Sequence, residues 1–344
     1  LPVRYFFNCS TMSRGRKISI KSILKFPNFF FVVATLIVGP LLYYLDSLQT
    51  QWDWSQVLVE GHGMFFDLIV FGILLTIYET RKKKWDRIEQ YENEIDDFRP
   101  WKADEGVYRI VGNVKRLNKE GISKIDLHDC HLVDADLKNK DLREAALVDA
   151  NLERANLEGA KLQHANLERA KLTGSRLSKA ILDHANLSNA KMAEVQLMES
   201  ELRHAIMFKA QMQKANMDQA QLEEANLRDA NLIEANLRCA NLSKAILSES
   251  KLKSAVLKEA NLTKAQLISA DLRKADLRDA IFFQADMADV ELEGAKVDNR
   301  YWLENLSGAQ VKHADLLKNR FYVDREVQTD EIGIIYFEIK IKQV

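Results

Sequence analysis

Residues 155–169 read Ala155-Asn156-Leu157-Glu158-Gly159, Ala160-Lys161-Leu162-Gln163-His164, Ala165-Asn166-Leu167-Glu168-Arg169. The same unit, Ala-Asn/Asp-Leu-x-x, continues in both directions. From Leu127 to Val297 every fifth residue is Leu, Met, Phe or Val, through thirty-five consecutive positions. Two residues before each of them from Leu132 onward stands a small side chain, nearly always Ala; Lys140 is the clear misfit, while Cys130, Ser175, Val195, Ser200, Ser250 and Val290 stay compact. Ala, Leu, Glu, Lys and Arg favour a helix by propensity. The period excludes one: at about 100° per residue, a five-residue step carries each Leu about 140° around the axis, so no apolar face forms. An extended reading succeeds. Ala at i−2 and Leu at i share a face, the other three residues point outward, and a turn every five residues brings the next pair inward.

The Ala-Asn/Asp-Leu-x-x repeat resembles the pentapeptide-repeat family. The resemblance covers about half the chain and implies a mainly β fold: a right-handed, quadrilateral β-helix with four pentapeptides per coil. Thirty-five units then make about nine coils and a rod about 40 Å long at the spacing of neighbouring strands. Each buried Leu contributes about 1.5–3 kcal/mol gross before chain entropy is subtracted. No proline interrupts the array, as continuous coil-to-coil hydrogen bonding requires.

Working outward, the array occupies 122–300 of 344 residues and the flanks differ in kind. Residues 1–25 are basic; Met12 is an alternative start, with Leu1–Thr11 upstream of it. Phe26–Leu45 carries no charge and is long enough to span a bilayer. A second apolar run, Met64–Tyr78, reaches spanning length if extended back to about 58. Arg81-Lys82-Lys83-Lys84 follows it. Basic outer flanks with an acidic link containing Asp46, Asp53, Trp52 and Trp54 fit a two-helix transmembrane hairpin over 26–80, spans about 26–45 and 58–78, both termini cytosolic. Asp67 falls inside the second span, where an ionisable residue is a functional candidate. These features point to a multi-pass protein of the bacterial inner membrane.

Residues 81–121 read as a helical stalk and N-terminal cap. Trp85, Ile88, Tyr91, Ile95 and Phe98 form one stripe and Val107, Ile110, Val111, Val114 and Leu117 another, separated by Pro100 and closed by Gly121. Either the stripes pack on each other over the first coil, or the first pairs with a second copy to give a homo-oligomer. Residues 301–344 read as a C-terminal cap. Tyr301, Trp302 and Leu303 open it. Val311 and Leu316 keep the old spacing in a shifted register, which predicts one more partial coil, and Phe337, Ile339 and Ile341 alternate with charges as a strand covering the open end.

Net charge is −1, and Lys and Arg alternate with acids along the array, so no field invites nucleic acid. The resemblance admits a topoisomerase-binding DNA mimic, but that role requires an acidic rod. The three cysteines are far apart and read as free thiols. No phosphate-binding glycine loop, Cys-x-x-Cys, His-Glu-x-x-His or nucleophile motif occurs, so no enzyme activity and no cofactor are expected.

Folding the array with residues twenty apart in register gives two candidate sites. One outward column reads Glu144, His164, His184, His204, Glu224, Lys244, Lys264. Three stacked histidines suggest a transition-metal ladder or a pH sensor. Another side carries exposed apolar residues, Val148, Ile206, Phe208, Ile246 and Ile268; Ile206 and Phe208, with Met198 expected around a corner, form a candidate protein-contact patch. The sequence therefore predicts a membrane-anchored scaffold that offers its array to a protein partner. The alternative is an oligomeric membrane effector or pore-forming stress protein whose array senses a trigger.

Overall fold

The computed structural model describes Tyr44 and residues 54–324, 328–329 and 335–343. The chain divides into two compact units, residues 1–80 and 81–344. The basic segment and the first candidate span lie outside the described residues, except for Tyr44.

A single helix of 45 residues, α1, runs from Trp54 to Phe98. The helix runs without a break through the expected boundary near residue 80 between second span and stalk, the point at which the two compact units divide. No glycine or proline stands between Ile73 and Arg99, so nothing interrupts the i→i−4 hydrogen bonds. Val70, Ile73, Leu74 and Ile77 are exposed on α1. Among the described residues no helix is long and apolar enough to cross a membrane.

Pro100 terminates α1, and α2 follows over Asp104–Lys119. Ile88 and Ile95 of α1 are buried in one core with Val107, Ile110, Val114 and Leu117 of α2 and the first array residues, Ile125 and Leu127. The two stripes therefore pack on each other; the first is not left free to pair with another copy. Gly121, at φ +83°, closes α2: Gly121 N–H donates to Asn118 O and Ile122 N–H to Leu117 O, the bond pair of a Schellman cap.

The array is a coiled stack of parallel bridges between residues twenty apart, from Asp126↔Ala146 to Asp276↔Lys296. Four pentapeptides thus make one coil. All thirty-five Leu-type positions are buried, and the Ala-type positions fill the space between them. Ser175, Ser200 and Ser250 are tolerated inside because each hydroxyl donates to the carbonyl three residues back, at 2.6–2.7 Å. Lys140, the misfit, turns outward and donates to Lys138 O.

Within one unit the backbone hydrogen bonds are almost fully assigned. Leu127 N–H donates to Ala146 O, Asp129 N–H to Val148 O, Cys130 N–H to Leu127 O across the turn, and Ala146 N–H to Ile125 O. The N–H after each Leu has no backbone partner. Where Asn or Asp precedes the Leu, that N–H is taken by its side chain: Glu153 N–H by Asn151 Oδ1, Glu168 N–H by Asn166 Oδ1, Arg228 N–H by Asn226 Oδ1, Thr263 N–H by Asn261 Oδ1. This is the reason for Asn or Asp before Leu. Only a short side-chain oxygen reaches back over its own turn.

The second residue after each Leu adopts the left-handed conformation, with φ between 53° and 61° at every non-glycine case in the array. That region costs an ordinary L-residue about 1–2 kcal/mol. Asp, Glu, Asn, Lys, Arg, His, Gln, Ser and Cys fill it, with Gly at 159, 174 and 294, and no β-branched residue occurs there. At Lys209, φ 55°, replacement by Ile should destabilise the array by about 1–2 kcal/mol, and replacement by Gly should stabilise it by several tenths. Equilibrium denaturation of the two variants checks the sign; equal midpoints would remove left-handed strain as the cause.

The C-terminal cap contains α3 (Trp302–Gly308) and α4 (Ala314–Arg320). It also contains a small antiparallel sheet in which β4 (Ile335–Ile341) pairs with β1 (Lys296–Val297), β2 (Phe321–Val323) and β3 (Gln328–Thr329). Trp302 packs edge-on against Phe282, ring centroids 5.6 Å apart. The predicted partial coil is half right. Val311 is buried and Lys312 bridges Asp286, but Leu316 lies exposed on α4. Past Lys312 the chain turns into α4 instead of continuing the coil, and β4 takes the edge at Lys296, where Glu338 pairs with it.

Candidate interaction faces

Each side of the array presents three outward columns per pentapeptide, fixed by the coil-to-coil bridges. On one side His164, His184 and His204 stand in register on left-handed turns, with φ of 58°, 59° and 56°. Their rings stack face to face, with centroids 4.9 and 4.7 Å apart and planes within 9° of parallel. At one end His204 Nδ1 lies 3.2 Å from Glu224 Oε2, and Glu224 accepts from Lys244 Nζ at 2.8 Å. The Lys244 hydrogen bond holds the Glu224 carboxyl below the usual carboxylate range. At the other end Glu144 pairs with Lys124 at 3.3 Å. The column predicted from twenty-residue spacing thus exists, with both acids already engaged by lysines. Imidazole lone pairs lie in the ring plane, so stacked parallel rings direct them side by side and not toward a common point. Among the described residues no group of three or more His, Cys, Asp or Glu side chains is arranged to hold a metal ion.

The apolar patch is smaller than expected. Ile206 is 43% exposed and Phe208, half-buried, carries Lys209 Nζ 4.9 Å above its ring. Met198, 38% exposed, does not join them. Leu197 and Met207 are ten residues apart, half of a twenty-residue coil, so Met198 lies on the opposite side of the array. Asp67 lies in α1 and its side chain is outside the described residues. Sequence reasoning missed Ile281 and Phe283, exposed beside the C-terminal cap at the end of the histidine side. The missing twenty-residue partner of Ile281 was the available signal, because that column stops there.

The ends are sealed by side chains that imitate the absent coil. Asn118 of α2 donates from Nδ2 to Asp141 O at 2.7 Å and accepts from Asp141 N–H at 2.9 Å, the two bonds a neighbouring strand would make. Arg99, just beyond α1, reaches His128 O, Asp96 and the Cys130 sulfur at 3.8 Å. Burial pushes the Cys130 thiol up to about 12, so it is inert as a nucleophile. The Cys239 thiol is also free and lies 3.2 Å from Glu259, whose hydrogen bond raises it.

Charged pairs tie adjacent coils together. Arg154 makes a two-pronged contact with Asp134, at 2.9 and 2.7 Å, and Arg169 makes the same contact with Asp149. In each case the arginine hydrogen bonds hold the aspartate below its ordinary 3.8. The unfolded chain lacks these bonds. Their contribution is therefore present above the unfolded value and is lost as pH falls through the lower folded one. An Arg154→Gln/Arg169→Gln variant should be less stable than the wild type at neutral pH, by a small margin because the pairs are exposed. The gap should close below about pH 4. Thermal melts across pH check this; a gap that persists at pH 2 would assign the loss to packing.

A family profile described as pentapeptide repeats (8 copies) matches residues 123–159, 150–189, 180–219, 215–253 and 260–299. No curated protein matches the chain. Among solved structures, HetL of the cyanobacterium Nostoc sp. strain PCC 7120, a pentapeptide repeat protein involved in heterocyst differentiation regulation, is 30% identical; the match covers 54% of this chain and 95% of HetL, TM-score 0.22. Rfr23, a pentapeptide repeat protein of the cyanobacterium Cyanothece 51142, is 31% identical over 35% of this chain and 60% of its own, TM-score 0.14. QnrB1, a plasmid-mediated fluoroquinolone resistance protein, is 16% identical over 48% of this chain and 96% of its own, TM-score 0.29.

Proposed function

The chain belongs to the pentapeptide-repeat family, and from that premise we propose that it is a non-enzymatic scaffold, held at a membrane by its N-terminal segments and offering the array to a protein partner. One observation carries the scaffold reading. The array interior is filled by Leu and Ala side chains from end to end, so what distinguishes one coil from another is displayed on the outward columns. A surface of that kind recognises by contact. The backbone behind it is held by hydrogen bonds at every coil, so little ordering remains to be done on binding.

The membrane part rests on the uncharged run Phe26–Leu45, on the apolar α1 residues Val70, Ile73, Leu74 and Ile77 exposed in the structure, and on Arg81–Lys84 after them. Reporters active on opposite membrane faces, fused after residue 80 and at the C-terminus, test it. Cytosolic signal from both supports a hairpin. Signal from both on the outer face places the array beyond the membrane, and recovery of both in the soluble fraction removes the anchor. For the scaffold, a photo-crosslinking residue at Ile206 should capture a discrete partner in cells, lost on Phe208→Glu. Capture unchanged by that substitution would move the contact to another side.

The exposed apolar residues of α1 also favour a second reading, an oligomeric membrane effector. Overexpression that depolarises cells, and stops doing so when Met64–Tyr78 is scrambled, would select it over the scaffold.

A further inference from the structure

We infer that the outer face of α2 is a self-association surface, on which two copies of this chain pair antiparallel about a twofold axis. Glu105, Tyr108, Arg109, Gly112 and Arg116 recur at three- and four-residue spacings along that face and line an open hollow of about 250 Å³. Tyr108 stands at its edge, 79% exposed, more than any other large apolar side chain among the described residues. Gly112 is the one residue of that lining without a side chain. The opposite face, with Val107, Ile110, Val114 and Leu117, is the one buried on α1 and the first coil.

Two features of the face need an explanation that the folded chain does not supply. Glycine within a helix is costly relative to alanine. Yet a β-carbon at Gly112 would meet nothing nearer than Arg116 Nη1, at 3.8 Å, so the fold leaves room for a side chain there. Tyr108, in turn, exposes most of an aromatic ring to water. An exposed ring one helical turn from a ring-sized hollow is complementary to its own copy: a twofold axis crossing α2 between them seats each Tyr108 over the partner's Gly112.

Charge sets the direction. Glu105 stands at one end of the face and Arg116 at the other, eleven residues apart. Antiparallel pairing brings each Glu105 to the partner's Arg116, whereas parallel pairing sets like charge on like. Both arginines also have partners at home: Arg109 lies 3.6 Å from Glu105 and 5.8 Å above the Phe98 ring, and Arg116 donates to Asn113 Oδ1 at 2.7 Å, 3.9 Å from Glu94 and 5.6 Å above the Tyr91 ring, so the intermolecular pair adds to these contacts and sets direction more than strength. The matched stretch spans only about 16 Å of helix, so association is concentration-dependent and not permanent.

The test is the mass of the full chain in a mild non-ionic detergent, by analytical ultracentrifugation over a wide concentration range, with thermal melts in parallel. The wild type should pass from one chain to two as concentration rises. Tyr108→Ala should weaken association about tenfold or more with the melt unchanged. Gly112→Gln should weaken it similarly while raising the melting temperature, because the helix gains and the hollow is lost. Glu105→Arg and Arg116→Glu should each be single chains alone and recover two-chain mass when mixed. A wild type that stays a single chain throughout overturns the inference. So does a two-chain mass that survives both Tyr108→Ala and Gly112→Gln, which would place the contact elsewhere.

Discussion

A Leu227→Asp variant should lose the middle of its array while both ends stay folded. Leu227 is fully buried, within the line of inward Leu-type side chains, and its N–H donates to Ile246 O in the next coil. Truncation to Ala at such a site costs about 2–5 kcal/mol. A carboxylate costs more, because the inward side chains stacked around it, Met207, Leu222, Ala225, Ala230, Leu232 and Leu247, are buried and apolar, and an unpaired buried charge is among the most expensive groups to place. A globular domain with about 5–15 kcal/mol of total stability would unfold entirely. Here each coil touches only its neighbours, so the damage spreads one coil in each direction and then meets intact stacking anchored by the caps. Amide exchange by mass spectrometry should show fast exchange around residues 206–247 with protection retained near 142 and 282. Uniform loss of protection would mean that the array folds as one cooperative block.

Removing residues 335–344 should convert a capped array into one that polymerises. Gly294 N–H donates to Ile339 O at 2.7 Å, and Ile339 N–H donates to Ala295 O at 2.9 Å. Phe337 and Ile339 are buried, and Tyr336 lies beneath Arg278 and Lys296, at 5.8 and 4.7 Å. Losing the two buried side chains removes about 3–6 kcal/mol of gross burial. The larger consequence is an exposed edge at Ala295–Val297, with unpaired backbone groups already at strand spacing, a template for the end of another molecule. Light scattering and electron microscopy should find filaments or insoluble aggregate in the truncated protein. A truncated chain that remains monodisperse with an unchanged melting temperature would assign end protection to α3 and α4 instead.

The array was legible because its signal is redundant. A five-residue return of Leu with Ala two residues before leaves one geometry, and the sequence carries it through thirty-five units. The histidine column followed from the same arithmetic. The side of Met198 was equally available, since ten residues is half a coil, but proximity in sequence to Ile206 obscured it. The task of Asn and Asp before Leu was visible as a preference and opaque as a cause, because the orphan N–H it satisfies appears only once the turn is built. Caps were harder still. Asn118 and Arg99 act through a few contacts made across more than twenty residues, and no periodicity announces them. The continuity of α1 was written in an unbroken run of helix formers; the change from apolar to charged composition near residue 80 marks where the two compact units divide, although the helix runs through that point.

The twenty-residue bridge also makes the chain an indexing device. Deleting twenty residues from within the array would drop one layer and leave everything downstream facing as before. Deleting five would turn all that follows by a quarter revolution, carrying the C-terminal sheet and the exposed Ile281 and Phe283 to the adjacent bearing while every buried contact is remade with an equivalent neighbour. Chain length, counted in fives, is thus a way to set the azimuth between two surface features without touching either.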